Sequence, residues 1–495
     1  MNLISTQRRW VALGMLAAAQ FMVFLDESIV NVALPSIRDD LGYSQAGLAW
    51  VVNAYVLAFG GLVLLGGRAA DLLGRRRVFL AGIALFGASS VMGGVAPSTG
   101  VLDAARAAQG MGAAMATPAA LALVAQLFSE REERTKALGI WGALSGLGFA
   151  IGILLGGLLT QATSWRLVFL INVPVAAATI VAVPRLVADS RLGGRSAFDA
   201  RGALTVTAAL FALVFALLNV NDYGWDSPAI HAGLGLAAVL LTGFVVTELR
   251  SAAPLVPPAF LRRRANLVPN ALQFLLGASL PAAFFLLTLY LQQVLGYSPV
   301  RAGLAYLPLA AGVAAATGVA NTLVGRAGPR PLAATGLGTA AAGLAVLGQA
   351  GTTSAYATAV MPGLVLVGFG AGLSFVAITT AALARVDESE AGLVSGLLST
   401  SVQIGLSLGL AMLVAVSTGR TSDLAASGAP PVAAEVGGIQ LGFLIAAATA
   451  FAASVIALVA LRGDRPAAST IPRAANTASD HALRGQAGAE APSIS

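Results

Sequence analysis

Fourteen long apolar runs, separated by short loops, are the feature that most constrains how this chain folds. A run of roughly 18 or more apolar residues is long enough to cross the hydrocarbon core of a bilayer as a helix. Lipid offers the backbone no hydrogen bonds, so a spanning segment must satisfy its own, which favours helices. We therefore predict an all-α integral membrane protein with fourteen transmembrane helices, at 10–34, 46–66, 78–96, 101–124, 138–160, 166–184, 202–220, 229–247, 267–291, 301–323, 331–350, 355–382, 391–416 and 438–461.

The composition indicates a surface that faces lipid. Of the 495 residues, 57% are hydrophobic and only 10% are charged, and the mean hydropathy is +0.83. A soluble domain carries roughly 25% charged residues, so this chain cannot cover a water-facing surface of its size. The absence of cysteine excludes disulfides, thiolate metal sites and thiol nucleophiles, and His231 and His481 are too far apart in sequence to suggest a metal pair.

The basic residues are distributed unevenly between alternate loops. If the N-terminus is inside the cell, most of the 29 Lys and Arg residues lie in inside segments, such as the cluster Arg75–Arg77. Only Arg38, Arg166, Arg301 and Arg420 then lie outside or at the outer boundary. This positive-inside bias predicts that both termini are cytoplasmic. It also accounts for the net charge of +7 without a nucleic-acid partner.

Two stretches of the sequence are nearly identical. Leu41–Trp50 reads LGYSQAGLAW and Leu295–Tyr306 reads LGYSPVRAGLAY, each in a predicted outside loop that leads into the next span. The match pairs the first span with the ninth, so we predict two six-helix pseudo-repeats with two inserted helices between them. Parallel repeats with a site near the midplane between them are typical of alternating-access transporters.

The repeat sets the predicted domain boundaries. The N-terminal six-helix half covers 1–186, the two inserted helices with their cytoplasmic linkers cover 187–266, and the C-terminal six-helix half covers 267–461. The tail 462–495 is rich in Ala, Ser, Pro and polar residues without periodic apolar positions, so we expect it to be disordered and cytoplasmic.

Three charged residues fall well inside apolar spans, where an ionised side chain costs roughly 2.5–3.5 kcal/mol. Asp26 and Glu27 lie in the first span, roughly 12–14 Å below its outer end at Pro35. Arg106 lies at a comparable depth in the fourth span, so an acid and a base can pair. One interpretation is an ion pair that only locks two helices. The other is a proton-coupling site, in which alternating access changes water exposure so that a carboxylate loads a proton on one side and releases it on the other.

The two acids point in different directions, because neighbouring residues on a helix differ by about 100°. Asp26 faces a sector where a neighbouring helix can bring the buried arginine, so we assign it the proton. Glu27 faces the predicted cavity and stays the second acidic member of the proton-coupling group. The residues that we assign to the substrate cavity are Gln20, Glu27, Asn31, Asn53, Gln109, Gln273 and Gln403.

The inside loop after the second span reads GGRAADLLGRRRV. It resembles the G-x-x-x-D-x-x-G-R-[RK]-[RK] signature of the major facilitator superfamily. A glycine turn there lets two helices approach, an acid can cap or pair, and the basic cluster anchors the loop inside. The matching positions are Gly67, Asp71, Gly74, Arg75, Arg76 and Arg77.

Three further segments resemble motifs of the same superfamily. LDAARAAQGMGAA, around Arg106, is similar to its second motif. LDESIVNVALP, around Asp26, and SWRLVFLINVP, Ser164 to Pro174, are similar to its fourteen-helix drug:proton antiporters. In that family the aspartate matched by Asp26 takes part in proton coupling, so the resemblance implies multidrug or antibiotic efflux.

The fifth span carries glycines at helical spacing, Gly148, Gly152, Gly156 and Gly157. Small residues in this pattern allow close helix packing in membranes. The spacing also resembles the antiporter motif G-x-x-x-G-P-x-x-G-G, which distinguishes exporters from importers. Ile153 stands where the family has proline, which weakens the expected kink and slightly weakens the argument for export.

The resulting expectation is a proton-coupled antiporter that exports lipophilic drugs or antibiotics, cations among them, by alternating access. It uses protons and no other cofactor, contacts membrane lipid, and works as a monomer. Heavy use of Ala, Gly and Arg indicates a GC-rich bacterium, so we expect a bacterial inner-membrane location. The alternative is an uptake symporter or facilitator for a small organic solute. An enzyme is disfavoured, since no nucleophile–base or metal constellation is visible.

Overall fold

In the computed structural model, every regular element that is described is a helix. The structure describes residues 6–128, 130–188, 200–251, 254, 263–384 and 391–461. Within these ranges there is no β-strand, so the predicted all-α fold class is confirmed. The expected disorder of the tail 462–495 concerns residues outside the described ranges.

Fourteen long helices follow one another along the chain. The first seven are α1 (Thr6–Leu41), α2 (Trp50–Leu73), α3 (Arg75–Gly94), α4 (Thr99–Leu127), α5 (Arg131–Ala162), α6 (Asn172–Leu186) and α7 (Ala200–Tyr223). The others are α8 (Pro228–Arg250), α9 (Arg264–Leu289), α10 (Leu307–Ala327), α11 (Pro329–Leu347), α12 (Met361–Leu383), α13 (Ala391–Ala426) and α14 (Pro431–Ala460). Short helical turns precede α2, α6 and α10, at Gln45–Leu48, Leu167–Leu170 and Pro299–Ala305, and π-helical turns extend α9 and α12, at Tyr290–Val294 and Tyr356–Val360.

Twelve of these helices are long and apolar enough to cross a membrane. The two that fall short of that criterion are α5 and α11. Within α5 the described apolar stretch is Ile151–Ala162, and α11 has 19 residues that are rich in Ala and Gly. By length and composition these twelve helices are candidate membrane spans among the described residues, and the prediction of a span at α5 and at α11 stays a prediction.

Several predicted boundaries are wrong because helices continue beyond their apolar centres. The predicted end of the first span at residue 34 lies inside α1, which continues through Pro35 to Leu41. Proline removes one backbone hydrogen bond, yet the helix continues beyond it, and Ile37 in the following turn is fully buried. At the other end of the chain, α13 continues to Ala426 rather than 416.

The helices pack in the same pattern twice. Helix α1 packs against α5, α2 against α4, and α3 against α4 and α6. Eight helices later, α9 packs against α13, α10 against α12, and α11 against α12 and α14. This repetition is what two related six-helix bundles would produce, and the duplication itself stays a prediction.

The two helices that the repeat predicts to be inserted, α7 and α8, pack beside α2 and α13. Helix α7 packs against both α2 and α13, and α8 packs against α7. Gly61 of α2 makes the α7 contact possible, because a Cβ there would collide with the Thr207 hydroxyl. Large apolar side chains of α8, including Leu236 and Val239, are exposed as expected for a lipid-facing helix.

Two seams join α1–α6 to α9–α14. Helix α2 packs along α13 at one seam, and α5 packs against the turn Pro299–Ala305 at the other. The backbones approach closely at the second seam, since a Cβ at Gly303 would lie 2.9 Å from the Ile153 carbonyl oxygen. Gln292 adds a hydrogen bond from its side-chain amide to the Val32 carbonyl, at 2.8 Å.

Candidate functional site

Asp26 lies at the centre of a buried polar cluster inside α1–α6. Its side chain is fully buried, and Arg106 Nη1 donates to its Oδ2 at 2.6 Å. Its other oxygen, Oδ1, accepts from Gln109 Nε2 at 3.1 Å and from Asn172 Nδ2 at 2.7 Å. The structure thus brings the acid and base of the sequence analysis together and surrounds the carboxylate with three donor groups. Such coordination is what makes a buried carboxylate tolerable.

Arg106 is held on several sides. It is 1% exposed, its Nε donates to the Val51 carbonyl at 2.8 Å, and its Nη1 donates to Gln109 Oε1 at 2.9 Å. The guanidinium carbon lies 4.4 Å from the centre of the Tyr55 ring, within cation–π distance. Gly110 allows this approach of α4 to α2, because a Cβ there would collide with the Tyr55 carbonyl oxygen.

Ser90 and Asn172, which are not among the site residues predicted from the sequence, complete the cluster. Ser90 Oγ accepts from Gln109 Nε2 at 2.8 Å and from Asn172 Nδ2 at 3.4 Å. Asn172 lies in the segment SWRLVFLINVP, where an amide in an otherwise apolar span was the available signal. Polar side chains buried in a membrane bundle generally have a partner there.

Gln109 belongs to this cluster and not to the set of residues around Glu27. It is fully buried, and its amide is occupied by Asp26, Arg106 and Ser90. Its polarity within an apolar span predicts a residue of the substrate cavity, but the structure places it beside Asp26 and Arg106. Its position three residues after Arg106 places both side chains on the same face of α4.

Glu27 connects the two sets of helices. Gln403 Nε2 of α13 donates to Glu27 Oε1 at 3.2 Å, and Asn31 Nδ2 donates to the Glu27 backbone carbonyl at 3.1 Å. Gly60 of α2 leaves room for Gln403, whose Cβ would lie 2.7 Å from a Cβ at that glycine. Glu27 is partly accessible, unlike the fully buried Asp26 next to it. Three residues assigned to the cavity therefore meet at one place.

The other residues assigned to the cavity are buried separately. Asn53 of α2 accepts from the Ser407 hydroxyl of α13 at 2.8 Å, so it also connects the two sets of helices. Gln20 Nε2, Gln273 Oε1 and Asn53 Nδ2 have no hydrogen-bond partner among the described residues. Unmet polar atoms inside a helical bundle are potential contacts for water or a solute.

The loop signature forms a compact turn between α2 and α3. Asp71 accepts from Arg75 Nη2 at 3.2 Å, and Gly74 adopts φ 112°, which an L side chain rarely adopts. Arg76 reaches across to the end of α6, where its Nη1 donates to the Val187 carbonyl at 2.9 Å. At Gly67, by contrast, an added Cβ would contact only the Pro118 side chain, at an ordinary van der Waals distance.

At the neighbouring Gly66, close packing of α2 against α4 requires a glycine. A Cβ at Gly66 would collide with the Ala114 carbonyl oxygen of α4. The sequence signature does not include this position, so its role becomes visible only in the packed structure.

Three of the four motif glycines of α5 face α1. A Cβ at Gly148 would lie 2.8 Å from Phe24 Cβ, and at Gly152 and Gly156 it would collide with the Ser28 hydroxyl and the Ile29 carbonyl oxygen. These contacts press α5 against the helix that carries both acids. Gly157 instead faces the second seam, where a Cβ would lie 2.5 Å from the Pro299 carbonyl oxygen.

Asp103, near the N-terminal end of α4, pairs with Tyr43 and lies outside the Asp26 cluster. Tyr43 donates its hydroxyl to Asp103 Oδ1 at 2.8 Å and to the Thr99 carbonyl at 2.9 Å. Burial, followed by the Asp103 charge, raises the pKa of the Tyr43 phenol well above its ordinary value. Tyr43 therefore stays protonated and remains a donor across the physiological pH range.

A bundle of this kind, with a buried ion pair in one set of helices and a carboxylate contacting the other set, defines a polytopic membrane transporter. Residues 16–410 match the profile described as Major Facilitator Superfamily. The chain belongs to that family, whose members are transporters and not enzymes. The resemblance that the sequence motifs indicated is thereby confirmed.

The relatives include resistance and export proteins of Streptomyces and Amycolatopsis species. The chain is 42% identical to the puromycin resistance protein pur8 of Streptomyces alboniger, over 92% of this chain and 90% of that protein. It is 38% identical to the lincomycin resistance protein of Streptomyces lincolnensis, over 93% of each. It is 40% identical to the cephamycin export protein CmcT of Amycolatopsis lactamdurans, over 84% of this chain and 87% of that protein.

Solved structures share the fold. A bacterial homologue of the human lysosomal transporter Spinster, in an inward-facing conformation, superimposes with a TM-score of 0.65 over 93% of this chain and 98% of that chain, at 17% identity. The peptide transporter PepTSo superimposes with a TM-score of 0.64 over 90% of this chain and 96% of that chain, at 15% identity.

Proposed function

We propose that this protein is a proton-coupled antiporter that exports lipophilic drugs or antibiotics, cations among them, by alternating access. The observation that carries the proposal is the fully buried Asp26–Arg106 pair, directly beside a carboxylate, Glu27, that contacts the opposite set of helices. The names of the relatives, which are resistance and export proteins, support the direction of transport and the class of substrate.

The proton acts on the Asp26 cluster. Protonation removes the negative charge that Arg106 balances and converts one carboxylate oxygen from an acceptor into a donor. Because three donor groups converge on that carboxylate, the cluster must rearrange when the proton arrives. Each proton that moves inward carries roughly 2.3 kcal/mol per 100 mV of membrane potential. This energy drives the conformational cycle that expels the substrate.

The substrate acts on Glu27. A cationic substrate that enters between the two sets of helices pairs with Glu27 and takes the place of the Gln403 amide at Glu27 Oε1. This exchange releases one contact between α1 and α13. Substrate and proton therefore act on adjacent residues of one helix, so that a single movement of α1 responds to both.

The remaining parts of the proposal concern organisation and setting. The protein resides in the bacterial inner membrane with both termini in the cytoplasm, works as a monomer surrounded by lipid, and needs no cofactor besides protons. Its two six-helix halves are related by duplication, which the repeated packing of α1–α6 and α9–α14 supports. Helices α7 and α8 stay outside the substrate path.

The test is transport by purified protein in proteoliposomes with an imposed pH gradient. Wild-type protein should accumulate a lipophilic cation on the acidic side, against its gradient, and Asp26→Asn should abolish accumulation while downhill exchange persists. Asp39→Asn is the matched control, since Asp39 lies on the same helix with 71% of its side chain exposed. Uphill transport by Asp26→Asn at the wild-type rate would show that Asp26 is not the proton carrier. Accumulation on the alkaline side would indicate uptake.

A further inference from the structure

The beginning of α2 lies between the buried ion pair and α13. Arg106 donates from Nε to the Val51 carbonyl at 2.8 Å, and its guanidinium carbon lies 4.4 Å from the centre of the Tyr55 ring. Asn53 Oδ1 accepts from the Ser407 hydroxyl of α13 at 2.8 Å. Asn53 is two positions from Tyr55, a rotation of about 160° around the helix axis. This part of α2 therefore contacts Arg106 on one face and α13 on the opposite face.

The contact between Asn53 and Ser407 is enclosed but weak. Both residues are fully buried, and the bond joins two uncharged groups. One such bond shifts an equilibrium between two conformations by about five-fold. Asn53 Nδ2 has no hydrogen-bond partner among the described residues, and this unmet donor opposes the gain. The contact is therefore easily made and broken, as a contact that changes in every transport cycle must be.

The same face of α13 carries the contact with Glu27. Gln403 lies four residues before Ser407, so the two side chains are neighbours on one face of the helix. Gln403 Nε2 donates to Glu27 Oε1 at 3.2 Å. This face of α13 thus receives one hydrogen bond from α1 and one from α2.

We propose that Asn53 and Ser407 are a positioning pair that transmits the protonation of Asp26 to α13. The ionised carboxylate holds Arg106, and Arg106 holds the part of α2 from which Asn53 reaches Ser407. Protonation of Asp26 removes the charge that fixes the guanidinium, so Arg106 shifts with the α2 residues that it contacts and the bond to Ser407 opens. The proton thereby acts on α13 one turn away from Gln403. The pair works in this way only if Asp26 is the proton site of the proposed function.

The groups that surround Asp26 determine how the pH response is tested. Charged or titratable groups reach it from three helices, namely Arg106 of α4, Tyr55 of α2 through Arg106, and Glu27 of α1 itself. Among the described residues, α3 and α6 contribute uncharged groups to the cluster, and α5 approaches α1 here through glycines. Phenols ordinarily titrate near about pH 10, so Glu27 is the group that must be separated from Asp26.

The experiment measures the distance between α2 and α13 as a function of pH, without any substrate. The chain has no cysteine, so nitroxide labels can be attached to Ser44→Cys and Ser422→Cys alone. Both positions are exposed, and each lies on a different set of helices. Double electron–electron resonance in lipid nanodiscs should show a change in the distance distribution between about pH 9 and about pH 5. Asp26→Asn should abolish this change, and Glu27→Gln should retain it.

Ser407→Ala should raise the midpoint of the change by about 0.7 pH unit. It removes one hydrogen bond from the conformation with ionised Asp26, and a five-fold shift corresponds to about 0.7 unit. Asn53→Ala should also raise the midpoint, and Ser407→Ala added to it should have no further effect. Ser401→Ala is the matched control, because Ser401 of α13 donates to Asn270 Oδ1 of α9 at 2.9 Å. This bond joins the same two groups within one set of helices, so its loss should leave the midpoint unchanged.

The outcomes separate the positioning pair from the proton site. Equal midpoints for Ser407→Ala and the wild type, or an equal shift for Ser401→Ala, overturn the transmission through Asn53 and leave the proton site intact. A pH response that persists in Asp26→Asn, or a wild-type distance that does not depend on pH, contradicts the proton site itself. Size-exclusion chromatography checks that each variant stays folded.

Discussion

Removal of the Arg106 side chain should strongly destabilise the protein, and the structure gives the size of the effect. Arg106→Met leaves Asp26 Oδ2, the Val51 carbonyl and Gln109 Oε1 without their donor. The bond to the carboxylate is worth about 2 kcal/mol, and each bond from the guanidinium to a neutral carbonyl oxygen about 1 kcal/mol. The expected loss is therefore about 4 kcal/mol, within the range for breaking a buried ion pair.

The double variant Asp26→Asn/Arg106→Met distinguishes a stranded charge from lost packing. Without the carboxylate charge, only the bonds to Val51 and Gln109 are lost, so the double variant should be destabilised by about 2 kcal/mol. The assay is reversible unfolding in mixed detergent micelles, with the free energy extrapolated to zero denaturing detergent. Arg75→Met is the control, because its partner Asp71 is 35% exposed and such a pair contributes at most about 1 kcal/mol.

Equal loss of stability in the single and double variants would mean that the Asp26 charge is balanced by something other than Arg106. Arg106→Met that lost no more stability than Arg75→Met would likewise contradict the predicted role of the buried pair.

Three further predictions concern selectivity, packing and orientation. Glu27→Gln should reduce export of cations more than that of neutral analogues, with proton coupling retained; equal loss for both, measured in proteoliposomes, would reverse the roles of the two acids. Gly152→Ala should cost about 1–3 kcal/mol of stability by overpacking the α1–α5 contact, whereas Gly243→Ala, with open space around it, should be neutral in the same unfolding assay. In intact cells an impermeant thiol reagent should label Ser427→Cys and leave Ser196→Cys unlabelled, although Ser196 lies outside the described residues; the reverse pattern would place the termini outside.

The buried ion pair could be predicted from the sequence because charged residues stand out in apolar spans. Depth along each helix follows from the residue count, and the 100° rotation between Asp26 and Glu27 separated their directions. The sector assigned to Asp26 is the one in which Arg106 lies. The same periodicity predicts that Glu27 faces away from Asp26. It does not identify Gln403 of α13 as the partner of Glu27.

The neutral members of the Asp26 cluster could not be predicted in this way. Ser90 and Asn172 are uncharged, and apolar spans tolerate such residues, so neither stands out in the sequence. Only tertiary packing brings them into the Asp26 cluster. Gln109 was assigned by polarity alone, although its spacing from Arg106 already placed the two on one helical face. The packing roles of Gly66 and Gly110 could not be predicted either, because a glycine in a sequence does not identify the helix that packs against it.

The position of α7 has a mechanical consequence for any movement between the two sets of helices. Because α7 packs against α2 and α13 together, it spans the seam between them. When the two sets of helices rotate relative to each other, α7 must move with one set and slide along the other. Small residues at the contact, such as Gly61 facing Thr207, make it tight enough to transmit that sliding. The pair α7–α8 thus connects the seam between α2 and α13 to the surrounding lipid. The thickness and stiffness of the bilayer can then alter how easily the two sets of helices rotate.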